Sequence, residues 1–279
     1  MISLCLAVFS TALISIIMRL STGRVTNNLG MLTMNYIVCT LLSGLFGGYQ
    51  GALNLGDPQI GTVLAMGTFN GFLYLSGFVL MQMNVRKNGV VLSSIFQKLG
   101  LLVTLVVSVV FYREIPDLLQ SVGFVVAVFA IVLMNYRKDS EKAGSRIALI
   151  GMLLSCGMGD AMSKIFTESS VASLEGQFLF YTFAVAMGLA FVIMKAKKQK
   201  IGRREVIFGT LIAVPNFFCS MFVLEALESL SAVIVYPVFS VGGILVVTLA
   251  GVLVFRERLI KQQWIGVCAI LAALVLLNI

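Results

Sequence analysis

Histidine is absent from all 279 residues, and proline (4) and tryptophan (1) are nearly so. Without imidazole, His-based acid/base catalysis and His-ligated metal sites are excluded. The five cysteines have no paired spacing and the carboxylates no metal-ligand pattern, so thiolate clusters and a disulfide framework are not expected either. Phosphate loops, nucleotide fingerprints and serine-nucleophile elbows are missing. Neither an enzymatic activity nor a cofactor is expected. Charge is also scarce, with Asp, Glu, Lys and Arg at 11% against 59% hydrophobic residues and a mean hydropathy of +1.03. No soluble globule could hide so much apolar surface, which leaves a polytopic membrane protein.

A bilayer span needs about 20 apolar residues. Ten stretches qualify, near 2–20, 29–48, 59–82, 88–111, 118–136, 146–166, 175–194, 205–227, 231–255 and 262–279. The first lacks a basic leader and a small-residue cleavage pattern, so it reads as a span and not a signal. Helices are expected throughout, because backbone polar groups in lipid must be satisfied within the segment and the alternation of a barrel is missing. Cys5, Cys39, Cys156, Cys219 and Cys268 all fall inside these runs and are expected as buried free thiols.

The chain is written partly twice. A shift of 143 positions (233 − 90) lays Val90 to Asn135 on Val233 to Asn278, with Arg113-Glu114 on Arg256-Glu257, Gln120 on Gln263, Gly123 on Gly266 and Asn135 on Asn278. The polar linker Tyr136 to Ser145 separates two halves, 1–140 and 141–279, of five spans each. Five crossings are an odd number, so the second half enters the membrane upside down and the pattern predicts an inverted repeat. Gly44-x-x-x-Gly48 and Gly67-x-x-x-Gly71 predict close helix packing. Pro215 predicts a kink in the eighth span, and Pro237, which matches Ser94, predicts that the two halves bend differently.

The net charge of +8 does not point to nucleic acid, because the bases sit in short loops between apolar runs. Arg24, Arg86, Lys87, Arg137, Lys138, Lys142, Arg146, Lys195, Lys197, Lys198, Lys200, Arg203, Arg204, Arg256, Arg258 and Lys261 all lie in odd-numbered loops. The positive-inside rule makes those loops cytoplasmic and puts both termini outside. The same bases are contacts for anionic headgroups of the bilayer.

Ionisable residues at membrane depth cost about 2.5–3.5 kcal/mol each and are therefore functional candidates. Lys98 lies deep in the fourth span beside Gln97, and the second copy has Ser240-Val241 there; it fits either a substrate contact or a structural ion pair. Asp160 and Lys164 are spaced i, i+4 on the sixth span and form either a self-neutralising pair or a binding or proton-coupling pair. Shifting by 145 places Ser15 and Arg19 on them, so the base recurs and the acid does not. Asp160 is thus the better titrating candidate. Glu225 and Glu228 are expected as solvated carboxylates, and Glu114 and Glu257 as local partners of Arg113 and Arg256. Asn35, Asn70, Asn216 and Tyr236 either line a cavity or tie helices together.

Two five-helix halves, each closing on an Arg-Glu turn, Gln-x-x-Gly and a last apolar helix, resemble the EamA branch of the drug/metabolite transporter superfamily. The motifs are Phe111-Tyr112-Arg113-Glu114 to Gly123 and Val254-Phe255-Arg256-Glu257 to Gly266, with Arg19 and Lys164 late in the first helix of each half. The fourth span departs from the family in having Ser93-Ser94 where the ninth has Tyr236-Pro237. The resemblance implies an all-α bundle around a central cavity approached by Lys98, Asn70, Asp160, Asn216 and Tyr236, working by alternating access. It also implies both termini in the cytoplasm, against the loop charges. The expectation is an inner-membrane exporter of a small polar metabolite such as an amino acid, monomeric or homodimeric. Lys98, Gln97, Asn70, Asn216, Tyr236 and Asn35 are its substrate contacts, and Asp160, Lys164, Arg19 and Glu225 its proton-coupling or gating groups. The alternatives are a multidrug exporter of cationic compounds and a lipid-carrier flippase.

Overall fold

The computed structural model describes residues 1–48, 58–135, 146–253 and 261–278. The linker 136–145 and the second Arg-Glu motif, Arg256-Glu257, lie outside the described residues, as do the side chains of Arg86 and Gln263. Among the described residues the chain is all helix: α1 (Ile2–Ser21), α2 (Asn28–Gly48), α3 (Ile60–Lys98), α4 (Leu101–Tyr112), α5 (Leu118–Asn135), α6 (Arg146–Thr167), α7 (Glu175–Ala196), α8 (Arg203–Ser229), α9 (Ala232–Leu253) and α10 (Lys261–Asn278). Among the described residues eight stretches are long and apolar enough to cross a bilayer: Ile2–Ser21, Asn28–Phe46, Ile60–Val85, Ile95–Tyr112, Arg146–Thr167, Ala172–Ala196, Arg203–Ser229 and Ala232–Leu253. The apolar stretches of α5 and α10, Leu118–Leu133 and Trp264–Leu277, are shorter.

The backbone is helical from Ile60 to Lys98 and breaks at Leu99-Gly100, yet the two bilayer-length stretches within it, Ile60–Val85 and Ile95–Tyr112, part over residues 86–94, close to the expected 83–87. Asparagines sit at the start of the parting. Asn84 donates through Nδ2 to the carbonyls of Leu80 (2.9 Å) and Ala148 (2.8 Å), and Asn88 donates to Asn84 Oδ1 (2.6 Å). The amides satisfy one another and the backbone close to where the chain turns back. The path reverses. Along α6, Asn70, Gly77 and Asn84 lie beside Gly159, Cys156 and Ala148 in turn, whereas Gly100 lies at Gly157 and Glu114 at Lys164. The first part of α3 therefore runs against α6 and α4 runs with it.

Interhelix contacts orient the rest. Cys219 reaches the carbonyl of Ala7, and Arg204 that of Arg24, so α8 is antiparallel to α1. Gly209 abuts Met31 and Cys39 donates to Ala213 O, so α8 is parallel to α2. Gln262 bonds Leu133 O while Gly123 abuts Leu276, so α5 and α10 are antiparallel. One end of the bundle consequently collects Arg24, Lys195, Lys197, Lys198, Lys200, Arg203 and Arg204. The other collects Glu114, Asp117, Glu168, Glu175, Glu225 and Glu228. We refer to these as the basic end and the acidic end.

The Arg-Glu, Gln and Gly of the first repeated motif each have a visible task. Arg113 adopts φ 56° at the end of α4 and turns the chain. Asp117 and Gln120 form a reciprocal capping box, Gln120 N donating to Asp117 Oδ1 at 2.7 Å and Asp117 N to Gln120 Oε1 at 3.3 Å, which starts α5. A Cβ on Gly123 would lie 2.9 Å from Leu276 Cβ, so glycine lets α5 and α10 approach.

Candidate functional site

At mid-depth, where Gly157 of α6 meets Gly100, the polar side chains of four helices converge. Lys98 closes α3, Asp160 projects from α6, and both are half-buried. Each acts on the other electrostatically, yet among the described residues neither belongs to an ion pair within 4.0 Å. Tyr74 of α3, Cys156 of α6 and Cys219 of α8 share the same electrostatic neighbourhood. Tyr236 of α9 is buried and its hydroxyl donates to the backbone carbonyl of Asp160. Two charges of opposite sign, held apart among phenols in a low-dielectric surrounding, can each bind a complementary group or exchange a proton.

Asn70 lies next to this cluster. It is 1% exposed; its Nδ2 donates to Thr182 Oγ1 at 3.4 Å, while its Oδ1 has no partner. That oxygen and the Tyr74 ring flank Gly159, the neighbour of Asp160. A buried acceptor without a donor is ready for one from a ligand or water. Aromatic rings pack around Tyr74, which is edge-on to Phe183 at 6.1 Å, and Tyr36 is tilted on Phe183 at 6.4 Å.

Other candidates sit apart from the charges. Asn216 donates to Asn35 Oδ1 (3.4 Å) and contacts Cys39 Sγ (3.7 Å), and Cys39 bonds Ala213 O (3.4 Å), which ties α2 to α8. Gln97 is half-buried beside Lys98. Glu225 and Glu228 are exposed at the acidic end, as expected. Arg19 lies in the last turn of α1 at the basic end, opposite in level to Lys164.

Three expectations change. Lys164 does not pair with Asp160: its Nζ contacts Glu114 Oε1 at 2.6 Å and Glu168 Oε1 at 2.5 Å. Reaching outward to carboxylates near the helix end costs less desolvation than turning inward. Glu114 accordingly is not the partner of Arg113, which is exposed. Cys5 and Cys268 are exposed on the outer face, not buried; Cys39 and Cys219 are buried and Cys156 half-buried. Sequence reasoning also missed Tyr74, Glu168 and Glu205. Glu168 stands at i+4 from Lys164 just as Asp160 stands at i−4, so the same spacing rule read downstream would have found it.

Apolar helices bundled around a mid-depth charge pair define a polytopic helical membrane protein with a polar interior site. The EamA-like transporter family model matches residues 1–136 and again 145–279. The chain belongs to that family, within the drug/metabolite transporter superfamily, and is a membrane transporter. An uncharacterized protein of Haemophilus influenzae is 27% identical over 213 residues, covering 73% of this chain and 72% of its own. A solved crystal structure superposes with a TM-score of 0.79 at 12% identity, covering 99% of this chain and 94% of the other. At that identity the likeness concerns the fold alone.

Proposed function

We propose that the protein exports a small polar metabolite, such as an amino acid, by alternating access through two inverted five-helix repeats, 1–140 and 141–279. The packing supports that symmetry: α1 packs on α8 as α6 packs on α3, and α1 on α9 as α6 on α4. In this reading α5 and α10 are the fifth and tenth crossings, the last of each half, packed on each other. The basic end faces the cytoplasm of the inner membrane and both termini face out. Lys98 attracts the anionic group of the substrate. Asp160 takes up and releases a proton, while Asn70, Gln97 and Tyr236 complete the substrate contacts. The observation that carries this is the half-buried pair Lys98 and Asp160, opposite in sign, within electrostatic reach and not locked together.

Lys98→Met is expected to weaken substrate affinity by about tenfold or more in a reconstituted transport assay, the loss of one buried charge contact. Unchanged transport and affinity overturn the assignment. A second reading, export of cationic aromatic compounds, is favoured by the Tyr74 ring near Asp160, backed by Phe183 and Tyr36. In that case cationic dyes compete with transport, Asp160→Asn abolishes their binding and Lys98→Met does not.

A further inference from the structure

Lys164 is 1% exposed, and an ammonium buried in an apolar bundle persists only when it is paired. One partner, Glu168, is local to its own helix end. The other arrives from α4: Glu114, turned inward by the left-handed Arg113, places Oε1 2.6 Å from Lys164 Nζ. Its second oxygen, Oε2, accepts the backbone N–H of Ala232, the first residue of α9, at 2.9 Å. A carboxylate at a helix N-terminus is favoured by the unpaired N–H groups and the helix dipole. One side chain thus binds α4, α6 and α9 at the acidic end. The Tyr112 ring lies 5.6 Å from the same ammonium. Tyr236, one turn into α9, repeats the α6–α9 tie through the Asp160 carbonyl. The Lys98 and Asp160 site lies beneath, with Asp160 one turn along α6 from Lys164, about 6 Å.

We propose that the Glu114–Lys164 ion pair is a latch that holds the acidic end shut over the central site, and that opening the site on that side breaks it. The proposal rests on the transport function of the family and not on the identity of the substrate. Glu114 is the residue that matters because it alone spans three helices; Glu168, 42% exposed, neutralises Lys164 without joining a second helix.

Cys156 reports on the latch. It is half-buried beside the central site, two turns of α6 from Lys164, about 12 Å. In a Cys5→Ser, Cys268→Ser background its modification by a membrane-impermeant maleimide is followed in right-side-out and inverted vesicles, without substrate. Glu114→Gln keeps an acceptor for the Ala232 N–H and removes the charge. It is expected to raise the Cys156 labelling rate about tenfold from one face only, the shift that a comparable change in open population produces. Lys164→Met is expected to do the same and Glu168→Gln to leave the rate within about threefold. If Glu114→Gln does not give a monodisperse protein, Glu114→Asp is read in its place, with its shortened reach expected to raise labelling in the same direction. No increase from either face, or an equal increase in Glu168→Gln, overturns the latch. Because no substrate is present, failure here is separable from failure of the Lys98 assignment.

Discussion

Buried polar side chains in this bundle divide into those that are used up and those with capacity left. Glu205 is used up. Buried at the start of α8, its Oε1 accepts from Thr26 N, Thr26 Oγ1 and Asn27 N, each at 3.2 Å, and Asn27 in turn caps α2 by accepting from Gly30 N at 3.0 Å. The carboxylate therefore fixes the α1–α2 connection to α8. Hydrogen bonds to a charged group contribute about 1.5–3 kcal/mol, so Glu205→Ala is expected to lower the thermal midpoint in detergent by several degrees. Glu205→Gln, which keeps an acceptor, is expected to fall between the two. Equal midpoints for all three would mean that the connection is held by other means. Asn70 is the opposite case: among the described residues its Oδ1 meets no donor, whereas Asn216 donates to the Oδ1 of Asn35.

Elements here are joined by the close approach of backbones, since lipid supplies no hydrophobic drive between helices. A Cβ on Gly71 would stand 2.5 Å from Thr182 O and 2.9 Å from Val185 Cβ, and one on Gly67 2.7 Å from Tyr181 Cβ. The Gly67-x-x-x-Gly71 spacing accordingly seats α7 on α3. A Cβ on Gly61, on the same helix, would meet nothing within 4 Å. Gly71→Leu is expected to cost about 1–3 kcal/mol or more through overpacking, visible as loss of the monodisperse peak in gel filtration, while Gly61→Leu is expected to behave as wild type. That pattern was legible in the sequence because GxxxG is a local signal. The partner helix was not. The second pattern, Gly44 with Gly48, is looser where it is described: a Cβ on Gly44 would meet only the Phe180 ring at 3.6 Å, an ordinary contact.

Among the described residues most of the charges near helix ends are sorted by end. Bases gather where α1, α7 and α8 meet the linkers 22–27 and 197–202, and acids where α4, α6, α8 and α9 meet theirs. Single cysteines placed at Lys198 and Glu228 in a Cys5→Ser, Cys268→Ser background are expected to react with an impermeant maleimide from opposite faces of the membrane. Lys198→Cys should react from the cytoplasmic face. Reaction of both from one face would contradict the helix directions derived above.

The sequence by itself determined that this is a helical membrane protein, where its apolar stretches lie, which loops carry the bases and which family it belongs to. Each of these depends on composition and spacing within one segment, because a helix in lipid must satisfy its backbone internally. Only the tertiary structure decided who partners whom. Glu114 reaches Lys164 across 50 positions and Ala232 across 118, and Glu205 reaches Thr26 across 179. Such pairings follow from which helices lie side by side, and side-by-side placement has no signature in local spacing. The i, i+4 rule offered Asp160 to Lys164; the neighbouring end of α4 supplied a carboxylate 2.6 Å from its ammonium instead, and Asp160 was left in the electrostatic reach of Lys98.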